Sequence, residues 1–163
     1  MSERMSAWIE IGGKLPRAKV EELCMAISAG GVSLEWGDAA FEPKSPEELL
    51  AARDDGRLWL CDSEASWGKF PDLEQTCRKL GLAYTRCSDG ASAYDAERVD
   101  WRPKMKTPLS RIFSNESEEK ILVAEKPVRK ALAALRAGKV QAAKRILQTL
   151  CHDIFQVPPF EII

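Results

Sequence analysis

A chain of 163 residues that is 45% hydrophobic and 30% charged is long enough to bury a core and too apolar to be disordered. No apolar run approaches the ~18 residues of a membrane span, the opening residues lead into no apolar signal core, and the five cysteines, odd in number and without a Cys-x-x-Cys, fit neither a disulfide framework nor a zinc ribbon. The net charge of −1 conceals a split: residues 1–100 hold 19 acids and 12 bases, net −7, and residues 101–163 hold 6 acids and 12 bases, net +6. The expectation is a soluble cytoplasmic protein with no membrane contact.

In chain order, Ala7, Ile9 and Ile11 alternate with Trp8 and Glu10, which predicts a strand with one buried face. Gly13-Lys14-Leu15-Pro16 then turns the chain into a helix marked by Val20, Leu23, Cys24 and Ile27, which Gly30-Gly31 stops. Val32, Leu34 and Trp36 alternate with Ser33 and Glu35 and predict a second strand, with Trp36 in the core. Ser45-Pro46-Glu47-Glu48 starts a helix through its cap serine and first-turn proline, and Gly56 ends it. Leu58–Asp62 is a strand, and Gly68-Lys69-Phe70-Pro71 repeats the earlier turn before a helix with Leu73, Cys77 and Leu80 on one face. A strand over Leu82–Cys87 and a tight turn at Asp89-Gly90 return the chain through Ala91–Trp101.

This order predicts an α/β (α+β) fold: two tandem β-α-β units in a ferredoxin-like mixed sheet with an inserted helix and a terminal hairpin. Residues 1–101 form an acidic α/β module, and 102–116, with Pro103 and Pro108, form a linker. Residues 117–163 form a basic helical appendage. Asn115 caps its first helix, Glu116, Glu118 and Glu119 occupy the first turn, and Pro127 breaks it. Val128, Ala131, Leu132 and Leu135 share one arc, with Lys126, Arg129, Lys130 and Arg136 on the other side. Gly138 turns the chain into a last helix with Ala143, Ile146, Leu147, Leu150 and Ile154 on its inner face, and the tail Phe160–Ile163 packs back on the body.

The chemistry is sparse. Lys14 and Lys69 sit before helix starts, where anions bind, but Pro16 and Pro71 each remove a donor, so both turns are read as structural. The single His152 points about 100° away from Cys151 on a helix and cannot pair with it. Cys24, Cys61, Cys77 and Cys87 fall on apolar faces or within strands and are read as core residues. No catalytic residue, metal set or cofactor motif is assigned.

Two binding faces remain. One is acidic and aromatic: Trp8, Glu10, Glu35, Trp59, Asp62 and Glu64. The other is basic: Lys126, Arg129, Lys130, Arg136, Lys139, Lys144 and Arg145, with no acid from residue 126 to 152. The function expected is a non-enzymatic intracellular macromolecule-binding protein with a protein partner. It is a regulator or inhibitor, such as a mobile-element inhibitor that presents an acidic surface to a nucleic-acid enzyme. One alternative is a nucleic-acid-binding accessory protein using the basic hairpin with Trp101, Arg102, Lys104 and Lys106. The other is a metal-dependent hydrolase around Asp62 and Glu64, with Glu10 or Glu35 adding a ligand.

Overall fold

The spine of the protein is a twelve-residue strand, β1 (Arg4–Leu15), in which Met5, Ala7, Ile9 and Ile11 are buried on one face. The computed structural model describes residues 3–91, 94–114, 120–151 and 156–163; Asn115 with its acidic first turn and His152–Ile154 lie outside them. β1 pairs antiparallel with β3 (Arg57–Ser66) on one side and β4 (Ala83–Ser88) on the other. Both neighbours therefore run the same way with β1 between them, and α3 (Pro71–Leu80) carries the chain across from one to the other. Directly opposed residues share a face in such ladders. Ile9 faces Leu60 and Arg86, and Ile11 faces Leu58 and Tyr84. This face is covered by α1 (Val20–Gly30) packed beside α3, whose Leu23, Ile27, Leu73 and Cys77 complete the core.

The full sheet runs β2 (Arg53–Asp54), β3, β1, β4, β5 (Glu97–Trp101), β6 (Leu109–Ser114), β7 (Lys120–Ile121), every neighbouring pair antiparallel. Five α-helices accompany it among the described residues, so the fold is mixed α+β with an open antiparallel sheet. Two expectations are corrected here. Val32–Trp36 is not a strand: Ser33 alone bridges to Cys61, through bonds of 2.7 and 2.8 Å. Gly31 and Gly37 adopt left-handed φ of 63° and 83°, and Ser33 Oγ donates to the Asp38 carbonyl, so the segment curls after one bridge. The first expected β-α-β unit thus lacks its second strand, and the order is not that of two tandem units.

The second correction lies in residues 102–116. Arg102 O accepts from Met105 N and Met105 O accepts from Trp101 Nε1, forming a turn that reverses the chain into β6, a full member of the sheet paired with β5. The segment read as a linker therefore contributes a strand. β7 follows, and α4 (Glu125–Arg136) begins only at Glu125. Pro127 occupies its first turn, where the missing N–H has no bond to make, and so does not break it.

Other local readings hold with shifted ends. Ser45 Oγ accepts from Glu48 N at 3.2 Å and Pro46 opens α2 (Pro46–Ala51), which stops short of Gly56. Asp55 and Gly56, both left-handed at φ 46° and 76°, instead form the two-residue turn between β2 and β3. β4 and β5 pair antiparallel as expected, but not through a tight turn at Asp89-Gly90: β4 ends at Ser88, β5 starts at Glu97 opposite it, and residues 89–96 connect them. α4 and α5 (Val140–Leu150) pack against one another across the turn at Gly138, φ 72°. The tail forms β8 (Phe160–Ile162), parallel to Gly13–Leu15, with Phe160 fully buried. Gly12 permits that approach: a Cβ there would sit 1.7 Å from the Pro158 carbonyl oxygen. Among the described residues no helix is long and apolar enough to cross a membrane.

Candidate partner-binding surfaces

The register of β1, β3 and β4 places Trp8, Glu10 and Trp59 on the face away from α1 and α3. Trp8 stacks on Trp59 with ring centroids 6.4 Å apart, and Trp36 meets Trp59 edge-on at 5.7 Å. Trp36, expected in the core, is 48% exposed, because the loop that replaced its strand swings it to the rim of this cluster. Glu35 lies beside Trp59 in a shallow recess with Leu34, Ala52 and Asp54, and it borders a second recess with Asp38 and Asp62. Glu10 is 4.0 Å from Arg57; burial raises its pKa, and Arg57 and Arg102 pull it back. Asp62 Oδ1 accepts from Glu64 N at 2.9 Å, a local turn bond that occupies the carboxylate proposed for metal binding. Among the described residues no three His, Cys, Asp or Glu side chains converge in a way that could hold a metal ion.

The same face contains a charge network that sequence reading missed. Asp100, wholly buried, accepts from Thr85 Oγ1 at 2.7 Å, from Arg98 Nε at 3.0 Å and from Arg111 Nη2 at 2.8 Å, and Arg102 Nη2 stands 3.6 Å away. Burial alone would raise the Asp100 pKa; the bonds from Arg98, Thr85 and Arg111 hold it below the ordinary carboxylate value. The only sequence signal is the polar alternation of Arg98-Val99-Asp100 and Ser110-Arg111, which becomes informative once β6 is paired with β5. On the helix-covered face, Arg86 is equally deep, between Glu74 at 3.0 Å and Glu97 at 2.5 Å, and donates to the Gly68 carbonyl. These ions pair with one another and hold strands and turns in place, with Arg86 Nε and Arg111 Nε left without a hydrogen-bond partner; Glu97 and Arg111 also line a recess of about 370 Å³ with Trp67, Lys69, Tyr94 and Ser110.

Cys24, Cys61, Cys77 and Cys87 are buried thiols, as their positions predicted. Burial, helped by Asp62, pushes the Cys61 pKa up to about 11, and burial also raises Cys24 and Cys77. Lys14 is 4.0 Å from Glu161 of β8, and Lys69 is exposed beside the Gly68 turn.

The α4–α5 hairpin is built differently. Ala131 is the one buried residue of α4 and Ala143 the one buried residue of α5. Val128, Leu132, Leu135, Val140 and Leu147 remain 37 to 58% exposed. Ala131 and Ala143 are the buried residues where the two helices pack, and three of the larger apolar side chains, Leu135, Val140 and Leu147, share one side. There Leu135, Val140, Ala143, Lys144, Leu147, Gln148 and Cys151 line an open groove of about 440 Å³. Lys126, Arg129, Lys130, Arg136, Lys139, Lys144 and Arg145 are all exposed. Among the described residues the hairpin's only ion pair joins Arg129 to Glu125 at 2.6 Å. The structure thus gathers the predicted basic residues on one element and sets them around an apolar surface whose exposure the helical period alone does not show. No family model, curated protein or solved structure matches this chain.

Proposed function

We propose that this chain is a non-enzymatic macromolecule-binding protein, a regulator or inhibitor, whose sheet is a scaffold and whose α4–α5 hairpin docks on a protein partner. The observation that carries this reading is the open apolar side of the hairpin, with Leu132 and Leu135 each about half in water. Ordinary single apolar side chains on a surface need no explanation, but five on one helical hairpin, three of them (Leu135, Val140 and Leu147) lining a groove, support an interaction site. The wholly buried Asp100 supports the scaffold reading, because its carboxylate is engaged by Thr85, Arg98 and Arg111. The Trp8, Trp36 and Trp59 cluster, with Glu35, Asp38 and Asp62 beside it, offers a second contact area of opposite charge.

The nucleic-acid reading rests on the seven exposed cations. Phosphate would neutralise them and leave the leucines in water, so it accounts for half of the surface. The test is affinity capture from the native cell with the wild type, with Leu132→Gln/Leu135→Gln and with Arg129→Glu/Lys130→Glu/Arg136→Glu. The expected result is one protein retained by the wild type and lost from both folded variants. Salt-sensitive binding of DNA and RNA that survives the leucine changes and disappears on charge reversal would overturn the reading.

A further inference from the structure

We propose that the groove between α4 and α5 receives an acidic amphipathic helix of a partner protein; this rests on the docking reading above and names its ligand. Two antiparallel helices with large apolar residues displaced to the same side form a trough into which a third helix packs at the usual 8–10 Å spacing. Leu135 from α4 and Val140 and Leu147 from α5 supply its walls, so both helices contribute.

Charge selects the occupant. Lys144 lines the groove itself on the α5 side. On α4, Arg136 follows the groove-lining Leu135 by about 100° around the helix and is exposed without an ion pair among the described residues, so it stands outside the α4 wall. Apart from Glu125 at the start of α4, which is paired with Arg129, the chain holds no acid from residue 125 to 151. A helix with a leucine face and flanking glutamates would bury the apolar strip and place carboxylates against these cations. A second copy of the hairpin would bring cations against cations. A lipid surface would accept basic charge, but α4 and α5 carry no Trp, Tyr or Phe to anchor at the headgroup level, which favours a protein helix as the occupant.

Two labelled 18-residue synthetic peptides with the same leucine face, one with glutamate and one with lysine on the polar face, are titrated with the full chain by fluorescence anisotropy. The glutamate peptide should bind saturably at one per chain and weaken as salt rises. Leu132→Gln/Leu135→Gln should abolish binding, and Lys144→Glu should weaken it at least tenfold while leaving the circular dichroism spectrum unchanged. The lysine peptide should bind at least a hundredfold more weakly. Equal binding of the lysine peptide, or no binding of the glutamate peptide, overturns the proposal. So does self-association lost in the leucine variant, or leucine-dependent binding to phosphatidylserine vesicles in place of the peptide. If the glutamate peptide fails while the leucine variant still loses its captured cellular protein, the acidic-helix ligand is wrong and the docking reading stands; if capture is unaffected too, both fall.

Discussion

In the sheet, Ile9, Ile11, Leu58 and Leu60 are withdrawn from water, and the carboxylate of Asp100 is tied to Thr85, Arg98 and Arg111. In the α4–α5 hairpin, Leu132 and Leu135 stand 46% and 45% exposed, and six of seven cations have no ion pair among the described residues. Both regions are amphipathic in sequence, yet one has spent its apolar and charged groups on its own fold and the other has kept them facing outward. The first region holds the fold together, and the second is the surface on which the proposed docking rests.

The cysteines separate the regions most sharply. Cys24, Cys61, Cys77 and Cys87 belong to the sheet body and are buried, while Cys151 at the end of α5 is exposed. A thiol reagent should label one cysteine of the native protein and all five after denaturation. The four buried thiols should react on the order of a thousandfold more slowly, since each must wait for an opening that costs ~4 kcal/mol or more. Rapid labelling of Cys61 or Cys77 in the native state would break the comparison.

Asp100→Asn should be the most damaging change to stability, costing about 3–5 kcal/mol in urea unfolding, because it leaves the half-buried Arg98, Arg102 and Arg111 without their buried counter-charge. A loss under ~1 kcal/mol would mean that the network does not hold β4, β5 and β6 together. The pH dependence is set by the lowered Asp100 pKa. An unfolded Asp titrates near about 3.9. The Asp100 contribution is therefore present above that value and disappears as pH falls through the lower folded one. Wild type and Asp100→Asn should converge in stability as the solution is acidified, and a gap that widens in acid would reverse the assigned sign. Ser45→Ala removes only the cap of α2 and should cost about 1 kcal/mol.

The legibility of each element in the sequence tracks how much it buries. β1, α1 and α3 announce themselves through strict periods, and the Ser45-Pro46 start of α2 is a local signal that needs no tertiary context. β6 is silent because its only buried residue is Phe113, and its Ser110 and Arg111 are held by Glu97 and Asp100 of the neighbouring strand. Val32–Trp36 has the alternation of a strand but lacks an edge to extend along: β3 offers it one bridge at Cys61, and flanking glycines bend it away. Asp55-Gly56 stands between the short β2 and β3, and the same dipeptide serves as a helix stop or a hairpin turn according to whether the segments on either side of it pair. The basic face was legible because charge runs are local, and the Asp100 cluster was not because its members come from three strands. The helical period located Leu132 and Leu135 on one arc, but a period cannot say whether another element covers that arc.

That last point carries the account, and it is tested by the equilibrium urea unfolding of Leu132→Gln/Leu135→Gln beside the wild type. Glutamine matches leucine closely in helix preference, so the measurement isolates packing from propensity. The hairpin face being open predicts a global unfolding free energy within about 0.5 kcal/mol of wild type. A loss above ~2 kcal/mol, the cost of removing buried leucines, would show that the face is packed against the body and would contradict the assignment of recognition to the hairpin.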